Sequence, residues 1–225
     1  MKYILYTFIL AGMLTSCNSP SPSDAAATDS STAETEAANP EEGMKADTKL
    51  EPITSEEALV ATALMAAPEE SRAGAKVMGY NMAGEFVTYK EGTNEFICLT
   101  DDPNKEGFNA ACYHQDLEPF MARGRALRSE GKSAKEIFDI REVEAKAGTL
   151  DMGKVGNTLH VYYGKETGYD PETGLVEGAK YRYVVYMPFA TSESTGLPES
   201  PIAPNHPWIM NPGTHRAHIM ISPLE

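Results

Sequence analysis

The chain is predicted to fold over residues 50–225 as a single α+β domain, a largely antiparallel sheet with about three helices packed on it. Three observations predict this. Short runs rich in Val, Tyr, Phe and Ile occupy both ends of the domain, helix-period stretches lie between them, and no internal repeat is present. The 176 residues also suit one core, since a chain of that length buries roughly 70% of the surface its unfolded form exposes.

The elements follow in order. In "TSEEALVATALMAAP" Thr54 has Glu57 three residues on, the spacing of a capping box, and the apolar run ends at Pro68, so one helix is expected. "AKVMGYNMAGEFVTYKEGTNEFICL" holds three short runs separated by "NMAGE" and "EGTN", which predicts a three-stranded meander. Two helices come next. Leu117, Phe120, Met121 and Leu127 share a face of the first, and Ile137, Ile140 and Val143 stand at helical spacing in the second, which stops at Gly148. "TLHVYYG" and "KYRYVVYMPF" read as two longer strands joined by the acidic turn segment "YDPETG". A last strand, "HIMIS", closes the domain.

Before the domain lies a different kind of sequence. Lys2 precedes an apolar run from Tyr3 to Leu14, then two small polar residues and Cys17. As a helix that 12-residue run spans roughly 18 Å, short of the ~30 Å hydrocarbon core, so it fits a secretory signal peptide over residues 1–16 rather than a membrane span. Leu14, Thr15, Ser16 and Cys17 resemble the lipobox of bacterial lipoproteins. The resemblance covers these 17 positions only. It implies a diacylglyceryl thioether on Cys17, cleavage before it, and a further acyl chain on the new amino terminus. Two acyl chains suffice for stable anchoring. With Asn18 where an Asp favours inner-membrane retention, it implies the cell envelope of a bacterium, at the outer membrane rather than the inner.

Residues 17–49 read as a tether. From Asn18 to Lys49, 26 of 32 residues are Ala, Ser, Thr, Pro, Asp or Glu, and none is aromatic, Leu, Ile or Val. Such a segment has no apolar surface to offset its ordering entropy and is expected to be disordered, with a reach of roughly 30 Å. Without the tether's −5 and Lys2, the domain keeps −10 of the chain's −14. That charge excludes nucleic acid as a partner, because phosphate binding needs a basic surface. Arg123, Arg125, Arg128, Lys132 and Lys135 form one basic stretch, read here as a solvated helical face.

Cys98 and Cys112 remain after Cys17, and an even pair in an exported chain favours a disulfide. The competing reading is a thiolate nucleophile at Cys112 beside His114, two residues on. "DPNKEGFNAACY" alternates Asp102, Asn104 and Glu106 before Gly107 but has Tyr113 where a calcium loop needs its closing carboxylate, so it reads as a turn linking strand to helix. There is no G-x-S-x-G, H-E-x-x-H, P-loop or dinucleotide fingerprint, and so no cofactor is expected beyond the lipid on Cys17. Ser129 and Lys132 match S-x-x-K only across Gly131, without the companion motifs. His160 alternates with apolar neighbours as a strand residue does.

Residues 190–214 hold five prolines and the single tryptophan, Trp208, in a long connection without predicted structure. The loop either buries Trp208 as a lid or presents Trp208 and His206 to a ligand. In "NPGTHRAHIMI", His215 falls in the turn made by Pro212 and Gly213, and His218 falls in the strand, so the two point apart. His206, Trp208 and His215 are therefore the candidate ligand-binding residues. Two function classes are compatible with these residues. One is a binding or structural envelope lipoprotein that meets a glycan, peptide or protein partner. The other is a metal-assisted hydrolase drawing on His114, His206, His215 and His218.

Overall fold

A computed structural model describes residues 49–222, and the expected signal peptide, the lipidation site Cys17 and the tether up to residue 48 lie outside the described residues. In chain order the elements are β1 (Glu51–Pro52), α1 (Glu56–Leu64), β2 (Lys76–Tyr80), β3 (Phe86–Lys90), β4 (Phe96–Leu99), β5 (Phe108–His114), α2 (Glu118–Ser129) and α3 (Ala134–Lys146). They continue with β6 (Thr158–Gly164), β7 (Gly168–Tyr169), β8 (Lys180–Tyr186), α4 (Ser192–Thr195), β9 (Trp208–Met210) and β10 (His218–Ile221). Eight strands form one sheet in the order β3-β2-β4-β5-β6-β8-β10-β9, and β1 pairs with β7 in a separate ribbon. Only β2 with β4 is parallel. The predicted α+β class, with a largely antiparallel sheet and three substantial helices, is the fold of the domain.

Directly paired residues share a face of the sheet. One row runs Val77, Cys98, Cys112, His160, Tyr183, and the adjacent row on the opposite face runs Ile97, Tyr113, Leu159, Val184, Met220, Trp208. Helix α1 covers the first face, where Ala58, Leu59 and Ala63 pack with Val77, Cys98, Ala110 and Cys112. Leu117 and Phe120 cover the second, against Tyr113, Val184, Tyr186 and Met220. Trp208 is half-buried at that edge and adds to the second core rather than standing free in a loop.

Several expectations are corrected. The cap of α1 is Ser55, not Thr54: its Oγ accepts from the Ala58 N–H at 3.1 Å. The three runs after Ala75 are not a meander, because β4 crosses β2 and pairs on its far side. "NMAGE" does turn a hairpin, whereas "EGTN" is a crossover that donates from Thr93 and Asn94 to the Gly74 carbonyl. Gly92 permits the crossing, since a Cβ there would stand 2.7 Å from the Lys76 nitrogen. The segment expected to turn from strand to helix contains all but the last residue of the seven-residue strand β5. Its Asn and Ala residues are poor strand formers, but Ala110 is fully buried where α1 packs closely, so tertiary packing overrides propensity.

Cys98 and Cys112 stand directly opposite on β4 and β5 at disulfide distance, with Cα atoms 4.0 Å apart, and both are fully buried. The bridge thus ties two neighbouring strands rather than a strand to the helical segment. On α3 the buried positions are Ile137 and Arg141, while Val143 is 68% exposed, so the inward stripe is rotated from the expected one. Arg125 is not on a solvated face either, being held by Glu118 and Tyr113 and lying over the Phe86 ring at 4.9 Å. The proline-rich connection is ordered by α4, capped by Thr191, and by the edge strand β9, whose Ile209 N–H donates to the Pro198 carbonyl.

Candidate functional site

Helix α3 begins at a capping box formed by Ser133 and Glu136, which sets its phase. That phase aligns Phe138, Arg141 and Glu142 at i, i+3 and i+4, and turns them toward α2 and the segment before β10. Phe120 of α2 is the hub of what they meet. The Tyr186 ring lies 5.6 Å from it edge-on, the His215 ring 5.9 Å away, and the Arg141 guanidinium 4.1 Å above it. Gly124, one turn along α2, makes room, since a Cβ there would stand 3.0 Å from an Arg141 terminal nitrogen. Phe138 packs on the other side of His215 at 4.8 Å.

Glu142 fixes the histidine. One of its oxygens accepts both the His215 backbone N–H at 2.8 Å and the ring Nδ1–H at 2.6 Å. Its other oxygen accepts from Lys146 at 2.6 Å. With Nδ1 donating to a carboxylate, Nε2 of the neutral ring carries the lone pair. His215 is fully buried, and no group hydrogen-bonds to its Nε2. Arg141 is 7% exposed, donates only to the Phe120 carbonyl at 3.2 Å, and has a buried Nε without a partner.

The local charge is positive. Burial lowers the Arg141 guanidinium to about 10, and repulsion from Arg216 and Arg128 adds to that. Burial also lowers His215; the Glu142 bond opposes this, and the charges of Arg141 and Arg216 reinforce it. The ring is therefore neutral at pH 7. Burial raises the Tyr186 phenol, while Arg216 and Arg141 pull the other way. Burial opposes ionisation of Glu142, yet its bonds to Lys146 and His215 hold it down at about 2. Its neighbour Glu144 is occupied by Arg123 at 2.7–3.1 Å. No carboxylate among the described residues is left for Arg141.

The structure does not bring the sequence-predicted candidates together. His215 is buried against the helices, correcting its expected place at the loop edge, and no hydrogen bond or ring contact joins it to His206 or Trp208 among the described residues. The cause is Glu142, 73 residues away in sequence. His206 is half-buried and its Nδ1 has no partner. His218 is a buried strand residue, as expected, and its Nδ1–H donates to the Arg216 carbonyl at 2.6 Å. His114 caps the turn before α2 by accepting from the Asp116 N–H at 3.2 Å. Cys112 is fully buried at disulfide distance from Cys98 and offers no accessible thiol. Among the described residues no group of three His, Cys, Asp or Glu could hold a metal ion.

An open groove of about 630 Å³ lies at the start of α2, between Asp116, Glu118, Asp151 and Lys154. Its carboxylate Asp116 is already paired with Lys154 at 3.0 Å. Sequence reasoning missed Arg141, Glu142 and Tyr186. One local signal existed: Arg141 stands four residues after Ile137 on the apolar stripe, where a charge is out of place. No family model, curated protein or solved structure matches the chain.

Proposed function

We propose that the chain is an exported lipoprotein, anchored in a bacterial envelope through lipid on Cys17, and that its domain is a binding module whose binding element is the buried Arg141–His215 cluster. The observation that carries the binding role is the pairing of a buried cation that no carboxylate hydrogen-bonds with a buried imidazole acceptor that has no donor among the described residues. Natural cores satisfy such groups, and departures from that rule concentrate at functional sites. The anchoring rests on the Leu14–Cys17 pattern, and the cysteine pair at disulfide distance agrees with an oxidising compartment. The hydrolase alternative lacks support, since among the described residues no three of its histidines and carboxylates stand close enough to hold a metal ion.

Metabolic labelling with a fatty acid tests the anchor: wild type takes up label and Cys17→Ala does not. A soluble mature form without label would refute it. Peptide mapping under non-reducing conditions tests the compartment, with a linked Cys98–Cys112 peptide expected. A thermal-shift survey of small anionic, neutral and cationic solutes tests the binding role. Anions alone should raise the Tm of wild type, and Arg141→Met should lose the response. Equal responses in the two proteins would sink it.

A further inference from the structure

Resting on that reading of the Arg141–His215 cluster as a binding site, we infer that its ligand is a phosphate group in its hydrogen-bearing form, received by the Arg141 guanidinium and donating its P–OH to Nε2 of His215. Three features select this chemistry. First, the guanidinium is buried with no carboxylate bonded to it, and Glu144, whose charge acts on it, is bonded to Arg123, so the complementary group is an anion. Second, Nε2 of His215 is an acceptor, because Glu142 holds the proton on Nδ1. A fully deprotonated oxyanion would face that lone pair with lone pairs of its own. Hydrogenphosphate carries acceptor oxygens and a hydroxyl on one small centre, and a phosphate monoester does so in its singly protonated form, the minority at pH 7 because its second pKa is about 6, whereas sulfate and acetate carry no proton at neutral pH.

Third, the two groups share one neighbour, the Phe120 ring. Both are braced from α3, and their charges interact directly. Tyr186 packs edge-on against the same Phe120 ring at 5.6 Å. A guanidinium that approaches α2 only because residue 124 is glycine is held in position before any ligand arrives, which reduces the ordering needed on binding. The phosphate could be free or the end of an ester such as a glycerophosphate headgroup.

Calorimetric titration of the purified full chain in detergent micelles tests this, with inorganic phosphate, glycerol 3-phosphate, sulfate and acetate as separate probes at pH 7. Phosphate is expected to bind at least tenfold more tightly than sulfate or acetate. Binding of inorganic phosphate alone identifies a free ion, and binding of glycerol 3-phosphate as well identifies an ester terminus. Arg141→Met should weaken phosphate at least tenfold. Gly124→Ala keeps both recognition groups and crowds the guanidinium, so it should weaken phosphate with the fold intact, which covers the case in which Arg141→Met does not fold. Sulfate or acetate binding as tightly as phosphate, and lost in Arg141→Met, would overturn the phosphate assignment while leaving the anion site standing. No anion binding at all, or binding unchanged in both variants, would overturn both.

Discussion

Two partly buried charge clusters flank helix α2, and they are built on opposite terms. In the first, Tyr113 donates to one Glu118 oxygen at 2.6 Å, Arg125 donates to the other at 2.5 Å, and Arg125 also reaches the Tyr113 hydroxyl at 3.3 Å. Every charge there has a partner of the opposite sign. In the second, Glu142 is given to His215 and Lys146 and Glu144 to Arg123, so among the described residues Arg141 bonds one carbonyl and lies on an aromatic ring. The difference teaches how a structural cluster is told from a site: the first is complete within the chain and the second is not.

The largest effect that sharpens this comparison comes from Phe120, which belongs to the core and supports the second cluster. Phe120→Ala should destabilise the domain by about 3–5 kcal/mol, read by urea unfolding, and should abolish the anion response. Retention of that response at full strength would separate the hub from the site.

Next in size is a contrast between two charge deletions. Glu118→Ala should cost about 2 kcal/mol, because it leaves Arg125 and the Tyr113 hydroxyl without their partner. Arg141→Met should be neutral or stabilising, since it removes a buried cation that no carboxylate hydrogen-bonds. Equal destabilisation by the two would break the comparison. Gly124→Ala should change stability by less than about 1 kcal/mol, as better helix propensity opposes the crowding of Arg141. A loss much larger than that, seen in thermal melts, would make Gly124 a core requirement rather than clearance for Arg141.

The smallest effect is a pH dependence. His215 and His218 both titrate below the ordinary value of 6.5 in the fold, chiefly through burial, which the bonds to Glu142 and to the Arg216 carbonyl oppose. The unfolded chain therefore binds protons first as pH falls through 6.5, so stability is full above that value and declines below it. Glu142 acts in a lower window: held at about 2 against 4.5, it contributes stability that is lost as pH falls from about 4.5 toward 2. Glu142→Gln should flatten the lower window and leave the His218 contribution between pH 6.5 and 5, as followed by Tm against pH. A wild-type Tm that does not change from pH 7 to 4.5 would contradict the histidine assignments, and one that does not change from 4.5 to 2 would contradict that of Glu142.

Local periodicity in the sequence was enough to place α2 and α3, β6, β8 and β10, the separation of His215 from the strand that holds His218, and the pairing of Cys98 with Cys112. Each of these depends on neighbours a few residues apart or on having only two cysteines available. The lipid anchor and tether remain readings of residues 1–49 from sequence alone. Tertiary structure decided the rest. The parallel pairing of β4 with β2 turned on one backbone crossing at Gly92, and β5 formed from weak strand formers because α1 needed small residues beneath it. The site was least legible, for its bond between Glu142 and His215 spans 73 residues and its signature is an unmatched charge. Whether a charge is matched depends on which groups the completed fold brings near it, and local sequence does not encode that distance.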